Sequence, residues 1–352
     1  MPRRVLFAIR SKLGDTLINY QCVRAFADTH PGDSVTLLTR TDYAKLLTGE
    51  PGLRVIGFNS RIAMTLRLLW MRLSEPAFDV LAVLWGSGPP IARIGRLVNA
   101  RRKIAWTRKF APDLFEEASL PPDFKLVDPA LNTIRVFEPS FEAPGALDIP
   151  SLASRYRDAV HTTPRLAIGI VPVADEARRN LDPATLAQLV GALRRDHPGA
   201  PLRIFVNPGN AGSDALTSAA LPSGCELRTF RDLTDLVEQY MGLAAWFGTD
   251  TGLYHLAAAI GIPATVFFGP TQPHKIVLPA QRNARVFRLA GLGNSHCDEK
   301  SCVRPLCLHA NVSAWCGAAT ATRLDETPSA CPLRALPPGA LTELRDMRPI
   351  AA

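Results

Sequence analysis

The sequence predicts an α/β protein built from two Rossmann-like domains whose parallel sheets face a cleft. Three observations carry that expectation. Short apolar runs alternate with helical runs from residue 3 to about residue 107. A stretch with four prolines and no strand period, EPSFEAPGALDIPSLASRYRDAVHTTP (138–164), then breaks the pattern. The alternation restarts at residue 165. Strand, helix and strand within about 40 residues make a βαβ unit, and such a crossover implies a parallel sheet. A chain of 352 residues also exceeds one typical core. The expected domains are 1–150 and 160–335, followed by a C-terminal helix within 336–352.

The elements follow in order. RRVLFAI (3–9) is an apolar strand, and SKLGDTL opens a helix, LINYQCVRAFADTH, that stops at Pro31-Gly32. SVTLLT (34–39) is a second strand. RIAMTLRLLWMRL (61–73) has amphipathic helical spacing, FDVLAVLWG (78–86) reads as a buried strand, and the helix IARIGRLVNA precedes the basic strand RRKIAWT. After the break, RLAIGIVPV (165–173) is a strand, ATLAQLVGALRRDHP a helix and PLRIFVN (201–207) a strand. LTDLVEQYMGLA forms a helix behind Asp232 as N-cap, AAWFG (244–248) a strand, LYHLAAAIG a helix and ATVFFG (264–269) a strand. The last helix is GALTELRDM (339–347).

Composition narrows the function. At 47% hydrophobic and 20% charged residues the chain is globular rather than disordered. No apolar run reaches the roughly 18 residues that span a bilayer. The first apolar run, Val5–Ile9, meets Arg10 and Lys12 at once and lacks a small-residue cleavage site. It reads as a strand rather than a signal peptide, so a cytoplasmic location is expected. Net charge is +8, and residues 54–109 hold 11 basic residues against two acidic ones, Glu75 and Asp79. Such a face suits an anionic partner, a phosphorylated glycolipid or an acidic membrane surface; it equally fits a solvated Arg-rich surface. Nucleic acid is disfavoured, because no aromatic-interleaved basic motif is present.

Three strand exits carry the chemistry. In FGTDTGLYHLAAAIGIPATVFFGP (247–270), a strand runs into TDTG and then a helix. Open parallel sheets bind ligands where a strand's carboxyl end meets the next helix's start, and the free N–H groups there attract anions. Asp250 and Thr251 occupy cap positions, Gly252 permits close backbone approach, and His255 follows by about one turn. A plain cap, turn glycine and packed histidine would give the same pattern. GPT (269–271) repeats the geometry after the next strand. In SKLGDTLINY, Asp15 stands at the first sheet's carboxyl edge, as a helix cap or as a general base. In VPVADEARRNLDPATL, Arg178 and Arg179 precede a helix start with proline in its first turn, either as a phosphate clamp or as a surface pair.

Together with FDVLAVLWGSGPPIARIGRLVNARRKIAWTR, these segments resemble the heptosyltransferases, glycosyltransferase family 9, from residue 5 to about residue 279. AAWFGTDTGLYHLAAAIGIPATVFFGPTQP is the most specific of them. The resemblance implies a GT-B fold, with an acceptor-binding first domain and a nucleotide-sugar-binding second. It implies inverting transfer of a heptose from ADP-heptose to a hydroxyl of the lipopolysaccharide inner core, with no cofactor required for catalysis. The family's proposed base falls on Asp15. Its D-[ST]-G-x-x-H segment falls on Asp250, Thr251, Gly252 and His255. Its diphosphate-holding Lys falls on Arg179, a departure that keeps charge but exchanges a point charge for a planar fork. Arg178 joins the donor-binding set. Arg61, Arg67 and Arg72, spaced along one helix, are candidates for the anionic acceptor or for peripheral contact with the inner membrane surface. A transferase of the same fold acting on a protein or another glycan, and a non-catalytic nucleotide-sugar or lipid-binding relative, are the alternatives.

The poorest match is 291–335, where Cys297, Cys302, Cys307, Cys316 and Cys331 crowd together. Three readings fit: a structural zinc or iron ion, disulfides, or reduced packing residues. If a metal binds, its ligands are Cys302, Cys307, Cys316 and Cys331. Some relatives that glycosylate autotransporters hold iron here, but through a set that begins with a Cys-x2-Cys pair absent from this chain.

Overall fold

A computed structural model of the protein describes residues 2–86, 88–107, 109, 111–121, 124–149, 152, 154, 166–207, 212–213, 216, 221–269, 271, 273–278, 281, 283–287 and 306–316. The chain divides into two compact units. One is Met1–Arg155 with Asp232–Thr234 and His274–Ala280; the other is Tyr156–Arg231, Asp235–Pro273 and Gln281–Ala352.

The first unit runs β1 (Arg4–Ile9), α1 (Leu13–Thr29), β2 (Ser34–Arg40), α2 (Thr41–Leu47), β3 (Leu53–Phe58), α3 (Arg61–Ser74), β4 (Phe78–Trp85), α4 (Pro89–Leu97), β5 (Ala100–Ala105), β6 (Glu116–Glu117) and α5 (Asp128–Arg135). Its six parallel strands are ordered β3-β2-β1-β4-β5-β6. β1 is central, so its residues from Val5 onward are all buried. That is why it reads as an unbroken apolar run rather than an alternating one. α1 lies against this sheet and buries twelve of its seventeen residues, among them Leu17, Val23 and Phe26. It stops before Pro31-Gly32, with the His30 N–H donating to the Phe26 carbonyl at 3.0 Å.

Beyond residue 166 the chain forms β7 (Ala167–Val171), a 3₁₀ turn (Ala177–Arg179), α6 (Pro183–Asp196), β8 (Leu202–Phe205), β9 (Cys225–Arg228), α7 (Leu233–Met241), β10 (Leu243–Thr249), α8 (Gly252–Ala259), β11 (Ala264–Phe267), α9 (Pro273–Ile276), β12 (Ala284–Phe287) and α10 (Leu306–Cys316). Its six strands are again parallel, ordered β12-β11-β10-β7-β8-β9. Counted within each half, both sheets have the doubly wound order 3-2-1-4-5-6, which reverses direction between the first and fourth strands. α6 starts at a proline, and Asp182 caps it by accepting from the Thr185 N–H at 2.7 Å. Leu189 and Leu193 of α6 pack with Ile168, Ile204, Phe267 and Val312 in one buried cluster. Gly248 of β10 is required by packing: a Cβ there would lie 2.4 Å from the Val171 carbonyl oxygen.

The structure differs from the sequence expectation mainly at sheet edges. β3, β6, β9 and β12 were not expected, and neither were α2 and α5. These strands bury one face or less and carry charges, such as CELR in β9, so no apolar run marks them. The helix expected over 233–244 ends at Met241, because Leu243 already pairs with Ala167 as the start of β10. The expected helix at 336–352 lies outside the described residues, as does the Cys-rich segment apart from α10.

Candidate functional site

In the first sheet the switch point lies between β1 and β4. Their pairing shifts register between Ala8 and Ile9, which sets Ile9 opposite Trp85. The Arg10 N–H donates to the Trp85 carbonyl at 3.0 Å. Asp15 sits here, half-buried in the first turn of α1. It does not occupy the cap position, which falls to Lys12. The Ser11 hydroxyl and the Trp85 indole Nε1 (3.1 Å) both donate to Asp15 Oδ2. Among the described residues no group donates to Oδ1. Trp85 is itself stacked on Trp106, with ring centroids 4.7 Å apart and planes 25° apart. Trp106 is fixed in turn by its Nε1 donating to the Gly86 carbonyl at 2.9 Å. Gly86 has φ +139°, a region that favours glycine, and a Cβ there would lie 3.0 Å from the Arg10 carbonyl oxygen. Sequence reasoning missed Ser11 and Trp85 as partners of Asp15, and Trp106 stacked behind Trp85.

Beside them a cavity of about 280 Å³ is lined by Arg10, Arg40, Thr41, Asn59, Ser60 and Arg61 among others. Its three guanidiniums come from the carboxyl ends of β1 and β2 and from the start of α3. Burial, then the like charges of Arg40 and Arg61, hold Arg10 below its ordinary pKa. Asp42 also lines the cavity and offsets part of this charge, pairing with Arg40 at 3.6 Å; the surplus positive charge favours an anion. Of the three arginines expected to meet the acceptor, only Arg61 lines this cavity. Arg67 lies over the Trp70 ring at 4.9 Å, and Arg72 donates to the Arg96 carbonyl at 3.1 Å, both further along α3. Arg10 and Arg40 were missed, although each stands at the end of an apolar run, where a ligand-facing residue is expected.

In the second sheet the switch point lies between β7 and β10. Arg178 and Arg179 form the 3₁₀ turn after β7, and Asp250 follows β10 directly. Arg178 Nε donates to Glu176 at 2.8 Å, so its charge is balanced locally. Arg179 Nη2 lies 3.8 Å from the same Glu176 carboxylate, and its Nη1 reaches Asp250 Oδ2 at 3.2 Å across the switch point. The expected alternative, Asp250 as a plain cap, gives way to this ion pair. Thr251 takes the cap position of α8 with extended backbone but makes no side-chain cap bond, and Gly252 is the first helical residue. The Thr251 hydroxyl therefore caps none of the opening N–H groups of α8, while the Tyr254 N–H donates to the Thr251 carbonyl at 3.1 Å. His255 is fully buried; burial, then the charge of Arg179, pushes its pKa down to about 3, so its ring is neutral at pH 7. Arg179 Nε and the buried hydroxyls of Thr249 and Thr271 have no hydrogen-bond partner among the described residues. Buried polar groups left in that state are what a bound polar ligand satisfies.

The cysteines fare differently. Cys302 and Cys331 lie outside the described residues, and of Cys307 only its place in α10 is described. Cys316 is buried in the apolar cluster with Leu308 and Val312, and burial pushes its thiol up to about 12. Among the described residues no group of three or more His, Cys, Asp or Glu could hold a metal ion.

Two doubly wound units of one strand order, each with charged groups at its own switch point, make the architecture of the GT-B fold. The model described as glycosyltransferase family 9 (heptosyltransferase) matches residues 69–307, and the chain belongs to that family. Solved structures agree on the fold. E. coli heptosyltransferase WaaC with ADP is similar at 17% identity and a TM-score of 0.65, over 84% of this chain and 96% of that one. E. coli ADP-heptose lps heptosyltransferase II is similar at 17% and 0.62, over 88% and 98%. The iron-containing dodecameric glycosyltransferase TibC of enterotoxigenic E. coli H10407 is similar at 16% and 0.51, over 82% and 63%. No curated protein matches the chain. No helix among the described residues is long and apolar enough to cross a membrane.

Proposed function

We propose that the protein transfers a heptose from ADP-heptose to a hydroxyl of an anionic glycolipid, the lipopolysaccharide inner core, at the cytoplasmic face of the inner membrane. The transfer inverts the anomeric centre. In this reading residues 1–150 bind the acceptor and residues 160–335 bind the donor. The observation that carries it is the Arg179–Asp250 ion pair at the exit of β10, beside the start of α8.

An alcohol is a poor nucleophile, so Asp15 removes its proton as the new bond forms, with Ser11 and Trp85 holding the carboxylate in place. The anomeric carbon gains oxocarbenium character and the departing ADP gains negative charge. Arg179, the Thr251 hydroxyl and the first N–H groups of α8 stabilise that charge. Neutral His255 helps shape the donor pocket without adding a second cation that would compete with Arg179 for Asp250. Arg10, Arg40 and Arg61 receive a phosphate or carboxylate of the acceptor. The names of the similar structures, two of which mention ADP or ADP-heptose, support the choice of nucleotide.

A thermal-shift screen against ADP-, UDP-, GDP- and dTDP-sugars tests the donor class. The expected outcome is stabilisation by ADP and ADP-heptose alone. A larger shift with UDP- or dTDP-sugars overturns the donor, and no ADP release when acceptor is added overturns the transferase reading.

A further inference from the structure

We infer that α3 is an interfacial docking helix that seats the protein on an anionic bilayer. Among the described residues, five of the seven large apolar side chains that are exposed lie on this helix: Ile62 (73%), Leu66 (62%), Leu69 (38%), Trp70 (52%) and Leu73 (88%). At about 100° per residue they fill one arc of roughly 100°, opposite the face through which Met64, Leu68 and Met71 enter the core. The helix is thus apolar on two sides. Only one is needed to hold it to its own sheet.

The charge pattern selects the occupant. α3 carries Arg61, Arg67 and Arg72 and no acidic residue. Glu75, just past its end, is already held by Arg4 and Arg54. Arg93 and Arg96 of α4 line a groove of about 460 Å³ with Thr65. A second copy of the chain on this face would bring arginines against arginines. An anionic lipid surface supplies the opposite charge and accepts the apolar stripe between its acyl chains. Arg67 over the Trp70 ring puts a cation beside an aromatic, a combination suited to the headgroup level. The groove between α3 and α4 is then placed to take a lipid phosphate. This deepens the acceptor reading by naming the surface from which a lipid-linked acceptor is drawn, yet its test requires neither donor nor turnover.

The full-length protein is mixed with vesicles of phosphatidylcholine, alone or with phosphatidylglycerol, and sedimented. It should bind the anionic vesicles preferentially, be released by salt, and lose roughly tenfold or more of its partitioning in Leu66→Glu/Leu73→Glu. Trp70→Ser should weaken binding several-fold and serves if the double variant melts early. Equal binding to neutral and anionic vesicles, or undiminished binding by both variants, overturns the proposal. So does a wild-type dimer in gel filtration that the double variant dissolves. Stabilisation by ADP, read on the same samples, reports the donor reading separately: its loss in the wild type sinks that reading and leaves the vesicle result intact.

Discussion

Arg179 Nη1 lies 3.2 Å from Asp250 Oδ2, with the carboxylate side chain 4% exposed and the guanidinium 23%. The two residues are 71 positions apart in sequence, yet both lie at the carboxyl end of the second sheet, Arg179 in the turn after β7 and Asp250 directly after β10. A buried carboxylate in this position holds the guanidinium in place, and on the proposed donor reading the N–H groups turned away from Asp250 meet the diphosphate.

Asp250→Asn should therefore weaken ADP binding by roughly tenfold, and Arg179→Ala by on the order of a hundredfold. Arg179→Lys should fall between them, because an ammonium cannot bond Asp250 and a phosphate with a planar fork. Calorimetry with ADP reads all three. Equal affinities across the series would remove Arg179 from the donor site.

Asp15→Ala should lower kcat by on the order of a thousandfold while ADP affinity changes little. A steady-state assay beside the ADP titration separates the two effects. A rate near that of the wild type would refute the assignment of the base.

Trp85→Phe keeps an aromatic ring against Trp106 but deletes the indole N–H that Asp15 accepts. Without that donor the carboxylate is less well oriented, so kcat should drop by about tenfold with KM for the donor unchanged. A change in KM alone would show that Trp85 contacts substrate rather than positioning Asp15.

His255 titrates near 6.5 when unfolded and is pushed down to about 3 in the fold. Between those values the unfolded chain binds more protons, so acid favours unfolding. Its contribution to stability is complete above about pH 6.5 and declines as pH falls toward 3, by on the order of 1 kcal/mol per unit. The Tm of His255→Gln should fall less steeply between pH 6.5 and pH 5 than that of the wild type. Parallel curves would contradict the burial of a neutral ring.

Gly248→Ala should destabilise by roughly 1–3 kcal/mol, because its methyl group meets the Val171 carbonyl and forces β7 and β10 apart. Urea denaturation measures this. The strands separate at the point where Arg179 and Asp250 meet, so ADP affinity should fall along with stability.

The alternation of strands and helices was legible in the sequence, because central strands such as RVLFAI are buried on both faces and become unbroken apolar runs. The strand-exit positions of Asp15, Arg179, Asp250 and His255 could be read in the same way, since each stands within eight residues after an apolar strand. Edge strands could not be read: one wetted face dilutes their apolar signal, as in β9 and β12. Only the tertiary structure decided what each functional group touches. Trp85 reaches Asp15 across 70 residues because β4 lies beside β1, and Arg10, Arg40 and Arg61 line one cavity because β1, β2 and β3 are neighbours. Strand order is settled by packing between distant segments, which no local run of residues encodes. The charge state of His255 belongs to the same category: the sequence supplies an imidazole, and burial beside Arg179 keeps it neutral.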